Sequence, residues 1–229
     1  GADMVVHSTT KFLSGQGNAM GGIVIDSGRF PWFGNAKYPS LSEPCPDYNG
    51  LTFAETFGDM AFTLYSHAVS LRDLGCTQSP MNAWITLNGV ETLPLRMERH
   101  VENEQKVAGF LQQHPSVEWV SYAGLSSSPY YQLAQKYLQG KAGSVFTFGI
   151  RGGYESGLRL LEKVELFSHV SNIGDSRSLI LHPASTTHRQ LSDEQRLTAG
   201  AGPEVIRLSV GIESAEDLIA DLEQALEGL

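Results

Sequence analysis

The residues with the plainest chemical potential lie near the start of the chain, in Met4-Val5-Val6-His7-Ser8-Thr9-Thr10-Lys11-Phe12-Leu13-Ser14-Gly15-Gln16-Gly17. A short apolar strand, Met4 to Val6, runs into hydroxyl side chains and a lysine. A glycine-spaced loop follows, and Gly21-Gly22 opens a second apolar strand, Ile23-Val24-Ile25. An ammonium at the end of a buried strand must be solvated, paired or chemically used. Lysine amines in such places can form a Schiff base with a carbonyl. The hydroxyls of Ser8 and Thr10 flank Lys11 and can donate to phosphate oxygens. On these residues alone two readings stand. One is a surface lysine with Ser and Thr capping a turn. The other is a lysine holding an aldehyde-and-phosphate cofactor, a description that fits pyridoxal phosphate.

Arg207 is the second residue of interest, inside the apolar run Val205-Ile206-Arg207-Leu208-Ser209-Val210-Gly211-Ile212-Glu213. A guanidinium in a strand loses hydration unless it meets an anion, and its planar fork suits a carboxylate. A salt bridge to a local acid is the competing reading. Ser171-Asn172-Ile173-Gly174-Asp175 and His182-Pro183-Ala184-Ser185-Thr186-Thr187-His188 form a third set, polar loops that read either as plain turns or as a ligand edge. His182 and His188 read as local hydrogen-bond partners rather than bases or metal ligands. Asn82 and Arg99 could line a site, with helix packing as the competing and simpler reading. No metal site is expected.

The elements that would position these residues follow from periodicity. Residues 27–59 lack a period and are rich in Gly, Pro and aromatics, so they read as a long loop, either functional or an exposed insertion. Residues 52–73 read as a helix with Phe53, Phe57, Met60, Leu64 and His67 near one face. Ser79-Pro80 starts a helix running towards Val90, and Pro94 starts another reaching Gln113. On that last helix Met97, Val101, Val107, Phe110 and Leu111 are the apolar positions. Arg96, Glu98, Arg99, Glu102 and Glu104 read as solvated or paired charges. His114-Pro115 marks a boundary, giving residues 1–113 and 114–229 as two domains. Beyond it strands are expected at 117–122, 144–150, 164–170, 179–181 and 205–210, and helices at 130–138, 154–163 and from Ser214 onward. The alternation predicts a small α/β or α+β domain.

Composition sets the outer limits. The chain has 229 residues, 41% hydrophobic and 18% charged, enough for one large or two modest cores. A net charge of −9 argues against nucleic acid or an anionic membrane as partner. No apolar run approaches the roughly 18 residues of a membrane span. Cys45 and Cys76 make neither a disulfide framework nor a metal cluster, which fits a reducing cytoplasm. Gly1-Ala2-Asp3 opens directly into a strand that has no room for the rest of its sheet. The expectation is the C-terminal part of a longer polypeptide.

The string HSTTKFLSGQGNAMGG resembles the lysine segment of the Cys/Met-metabolism enzymes that use pyridoxal phosphate, and IRLSVGIE resembles their arginine segment. The loops at 171–175 and 182–188, and the helix starts at 79–84 and 91–100, are similar to the same family, so the resemblance spans essentially the whole chain. It implies the aspartate aminotransferase-like fold type I, here the C-terminal part of the large domain plus a small C-terminal α/β domain. It implies that Lys11 carries pyridoxal phosphate and moves protons, with Ser8 and Thr10 on the phosphate. Arg207 and Asn172 would bind the substrate carboxylate, with Asn172 standing where serine is common, and Thr187 would steady the arginine. Within the family, the insertion at 27–59 looks like that of the O-acetylhomoserine sulfhydrylases. The implied reaction is γ-replacement, O-acetyl-L-homoserine plus sulfide or methanethiol giving homocysteine or methionine plus acetate, in a cytoplasmic homotetramer. Methionine γ-lyase and cystathionine γ-synthase are the alternative activities, and an inactive assembly domain is the non-enzyme alternative. The phosphate loop, ring-stacking tyrosine and ring-nitrogen aspartate of such enzymes lie upstream of residue 1, so activity would require the N-terminal part of the same polypeptide.

Overall fold

The computed structural model describes residues 1–229. The chain divides into two compact units, residues 1–9 with 20–85, and residues 10–19 with 86–229. No helix is long and apolar enough to cross a membrane.

The first unit begins with an antiparallel ribbon of β1 (Met4–Ser8) and β2 (Gly22–Asp26), with Val6 opposite Val24. The strands were expected to be buried, yet Val5, Val6, Ile23, Val24 and Ile25 are all exposed, Val6 to 73%. The physical reason is that the ribbon has only two strands, and a hairpin of that size has no layer to bury its faces against. The aperiodic stretch after it supplies the core of this unit. Trp32, Leu41, Phe53, Ala54 and Ala61 are buried together, with Phe30, Tyr38 and Tyr48 packed against them. Trp32 stacks on Phe62 and meets Tyr38 edge-on, geometries that favour aromatic pairs. The residues 52–73 are not one helix. They form α2 (Phe53–Phe57) and α3 (Ala61–Tyr65), after the short α1 (Pro39–Ser42), with a π-helical stretch Ser66–Asp73 at the end. Gly58 separates α2 from α3 at φ 54°, a conformation outside any right-handed helix.

Helix α4 (Pro80–Glu91) contains the division between the units. In the second unit α5 (Leu93–Gln113) precedes β3 (Val117–Ser121), α6 (Tyr131–Leu138), β4 (Val145–Ile150) and α7 (Gly153–Lys163). Then come β5 (Ser168–His169), β6 (Leu179–Leu181), α8 (Asp193–Thr198), β7 (Val205–Ser209) and α9 (Ala215–Leu226). The five strands lie in the order β3-β4-β7-β6-β5, antiparallel except for the β5–β6 pair. One core holds Phe148, Ile206 and Leu208 against Val107 and Leu111 of α5 and Leu218 and Leu222 of α9.

Because strand side chains alternate, Ile206 and Leu208 enter that core and Arg207 points to the opposite face. Its register partners are Thr147 and Leu181. The strand expected over 164–170 shrinks to two residues for a clear reason. The amides of Glu165, Leu166 and Phe167 all donate to the Asp221 carboxylate, at 2.8–3.1 Å, and so are unavailable to a ladder. Glu104 also departs from expectation. It is fully buried, along with His100 and Asn103, on the face of α5 that meets the sheet.

Candidate active site

Lys11 stands in a tight turn. Gly15 donates its amide to the Lys11 carbonyl at 2.8 Å, and the Ser14 hydroxyl returns to the Thr10 carbonyl at 3.1 Å. Gly15 has φ +76°, which closes the turn at little steric cost for a residue without Cβ. The Lys11 side chain is half-buried, and Nζ donates to the Asn172 side-chain oxygen at 2.5 Å. Arg207 Nη2 donates to the main-chain carbonyl of the same Asn172 at 3.3 Å. Asn172 therefore joins the lysine amine to the strand arginine.

The electrostatics of this cluster are unusual. The ion pairs of the structure involve Arg72, Arg99, Lys106, Lys141, Arg177 and Arg196, and neither Lys11 nor Arg207. The internal acid that would make Arg207 a structural residue is missing. Burial pulls the Arg207 guanidinium down from its ordinary pKa, because no nearby carboxylate repays its lost hydration.

The Asn172 loop is fixed from several sides. Gly174 donates its amide to the Ser209 hydroxyl at 2.9 Å, and Ser176 donates to the Gly15 carbonyl at 2.9 Å. Buried Asp175 accepts two guanidinium bonds from Arg177, which holds the Arg177 guanidinium above its usual range. A Cβ at Gly17 would come within 2.6 Å of the Asp175 carboxylate, so the lysine loop passes close against the Asn172 loop only because that residue is glycine. Beyond β7, Glu213 accepts the amide and hydroxyl of Ser178, at 2.6 and 2.9 Å. Asn103 donates to the Gly211 and Glu213 carbonyls from α5. His100 meets the Val210 carbonyl at 2.6 Å and packs edge-on against Phe12, next to Lys11. Burial lowers its pKa, and a neutral imidazole donating to that carbonyl accounts for the contact.

The remaining sequence-derived residues are placed as follows. Ser8 ends β1 with its side chain exposed, and Thr10 is half-buried beside Lys11 in the chain. Thr187 is exposed, and its hydroxyl pairs with His188 Nδ1 at 2.9 Å. No hydrogen bond joins it to Arg207. His182 is satisfied on both nitrogens, by the Ser185 hydroxyl and the Pro203 carbonyl, as befits a structural histidine. Asn82 donates to the Met20 carbonyl at 2.9 Å. The bond from Lys11 to Asn172 and the packing of His100 against Phe12 beside the lysine were not legible in the sequence.

A lysine amine met by a neutral amide rather than an acid, with Thr10 beside it in the chain, and a guanidinium lacking a counter-anion fit a cofactor with an aldehyde and a phosphate, and a substrate with a carboxylate.

Solved structures give the class. A Campylobacter jejuni protein described as an O-acetylhomoserine (thiol)-lyase, solved with N'-pyridoxyl-lysine-5'-monophosphate, matches with a TM-score of 0.94 at 42% identity, over 100% of this chain and 54% of its own. Cystathionine gamma synthase from Xanthomonas oryzae, in complex with aminoacrylate and cysteine, matches with a TM-score of 0.76 at 33% identity, over 99% and 50%. The fold is that of the fold type I enzymes that depend on pyridoxal phosphate. The profile of the Cys/Met metabolism PLP-dependent enzymes matches residues 1–227, and the chain belongs to that family. Among curated relatives, O-acetyl-L-homoserine sulfhydrylase 1 of Thermus thermophilus is 50% identical, over 99% of this chain and 53% of the relative. The O-acetyl-L-homoserine sulfhydrylase of Leptospira meyeri is 51% identical, over 100% and 54%. The chain thus spans about half the length of the relatives it matches.

Proposed function

We propose that this chain is the C-terminal half of a pyridoxal phosphate enzyme that exchanges the γ-substituent of O-acetyl-L-homoserine for sulfide or a thiol. The products are homocysteine or methionine and acetate. The observation that carries this reading is the convergence of Lys11 and Arg207 on Asn172, with neither cation paired to an acid. An amino-acid substrate needs an amine-handling group and a carboxylate fork held at a fixed separation, and this cluster supplies both. The high identity to enzymes named for the reaction supports the choice of substrate.

The bound cofactor would act as an electron sink for the carbon next to the amine. Everything else falls to this chain. Lys11 Nζ would anchor the cofactor and, once released, take the α-proton and relay a proton from the β-carbon, so that acetate can leave the γ-carbon and the thiol take its place. Ser8 and Thr10 would donate to the phosphate. Arg207 would grip the substrate carboxylate and so fix which bond at the α-carbon is presented for cleavage. Asn172 would leave its bond to Lys11 and turn its amide towards that carboxylate. Thr187 would need to leave His188 to reach the arginine.

The N-terminal half is the required partner. Support comes from the relatives' double length and from the apolar ribbon β1–β2, whose faces are exposed in this chain alone. We place 1–113 in the cofactor domain and 114–229 in the small domain because the five-stranded sheet lies entirely beyond residue 114, although the compact units divide at 85/86 and α5 packs into the core of that sheet. The test is a product assay on this chain expressed with its N-terminal half. O-acetylhomoserine plus sulfide should give homocysteine and acetate. Abundant 2-oxobutyrate from methionine, with no homocysteine, would point to a γ-lyase instead.

A further inference from the structure

We propose that Arg96 is a positioning residue for Lys11, a guanidinium clamp that locks the lysine turn from behind; this rests on the function proposed above. Arg96 lies in the first turn of α5, and its Nη2 donates to the Gly89 carbonyl at 2.7 Å and to the Leu13 carbonyl at 3.5 Å. Nε donates to the Thr92 hydroxyl at 3.2 Å. One side chain thus joins the end of α4 to the turn that presents Lys11.

Two glycines make this contact possible, one on each side. A Cβ at Gly15 would fall on the Arg96 guanidinium, so the group lies directly against the Gly15 backbone. A Cβ at Gly89 would fall on the carbonyls of Leu13 and Ser14, so α4 meets the turn backbone to backbone. Gly15 also supplies the amide that closes the turn on the Lys11 carbonyl. The guanidinium pairs with no carboxylate, and its Nη1 is buried without a partner. Desolvation alone would disfavour a cation there. A neutral residue could fill the space more cheaply, whereas a multidentate donor can hold carbonyls of both segments while lying against Gly15. A lysine at 96 would keep the charge and lose the fork.

The test uses Arg96→Ala and Arg96→Lys with added guanidinium ion. In the 229-residue chain, amide exchange at Gly15 is expected to speed up about tenfold in R96A, the effect of losing one or two hydrogen bonds. Core amides of β4 should be unchanged, and millimolar guanidinium should restore Gly15 in R96A but not in R96K. In the complete protein with pyridoxal phosphate, the rate of cofactor attachment to Lys11, read by borohydride trapping, should fall about tenfold and recover in the same way. Equal acceleration at Gly15 and β4 would make Arg96 merely structural and overturn the proposal, as would trapping at the wild-type rate. If R96A does not fold, Gly15→Ala displaces the guanidinium from the other side and should give the same local acceleration; wild-type exchange there would equally overturn it. A wild-type protein that attaches no cofactor would defeat the proposed function, while exchange at Gly15 would still decide the clamp.

Discussion

Replacing Arg207 separates a functional arginine from a structural one, because stability and activity should part company. In Arg207→Met the folded protein loses one long donor bond, to the Asn172 carbonyl at 3.3 Å. Such a bond contributes about 0.5–1.5 kcal/mol, and its length places it at the lower end. Against this, the substitution removes a partly buried cation with no counter-charge, whose burial already works against the charged form. The two effects oppose each other, so unfolding free energy should change by less than about 1 kcal/mol in either direction. Catalysis in the complete enzyme should respond quite differently. Losing a charged partner for a desolvated carboxylate costs about 2–5 kcal/mol, roughly thirty-fold to a few thousand-fold in kcat/KM for O-acetylhomoserine. Arg207→Lys keeps the charge without the fork and should fall between. Urea unfolding of this chain and steady-state kinetics of the complete enzyme supply the two readings. A stability loss above about 2 kcal/mol, with activity merely following the folded fraction, would refute the reasoning.

Two further substitutions probe the frame that holds the site. Burial pushes the Glu104 carboxyl well above its ordinary pKa; the Val210 amide nearby offsets this only weakly, being already donated to Ser144. The folded chain therefore keeps a proton that the unfolded chain releases. Stability from this group is greatest below the unfolded carboxyl pKa of about 4.3 and declines as pH rises, by at most about 1.4 kcal/mol per unit, until the folded carboxyl ionises. Glu104→Gln should flatten that decline in urea titrations between about pH 5 and 8, and parallel curves for the two proteins would contradict it. Asp221→Ala strips the acceptor from three amides, of which only that of Phe167 belongs to a fully buried residue. A loss of about 2–4 kcal/mol is expected, with Asp221→Asn losing less; a loss under about 0.5 kcal/mol would show that water replaces the carboxylate.

What the sequence revealed followed from periodicity and local chemistry. Apolar composition marked 205–210 as a strand carrying Arg207, and Ser214 was legible as the start of the last helix, where it accepts the Asp217 amide. What it concealed depended on long-range partners. The aperiodic aromatics of 30–53 looked like a loop because their packing follows no repeat, yet they form the core of the first unit. The run 164–170 has strand composition, but a carboxylate more than fifty residues away takes its amides. Glu104 reads as a surface charge until its spacing from His100, Val107, Ala108 and Leu111 puts it on the buried face of α5. For the site, residue type pointed to Lys11 and Arg207 individually. Their meeting on Asn172 spans 161 and 35 residues of sequence, which no local pattern encodes.

The central claim is that the Lys11 amine carries the cofactor. Borohydride reduction of the complete protein with pyridoxal phosphate, followed by peptide mass mapping, tests it directly. The account predicts one pyridoxyl group per chain on the Ser8–Gly15 segment, at Lys11, and none after Lys11→Ala. A label spread over Lys37, Lys106, Lys136, Lys141 and Lys163, or one that survives Lys11→Ala, would contradict it.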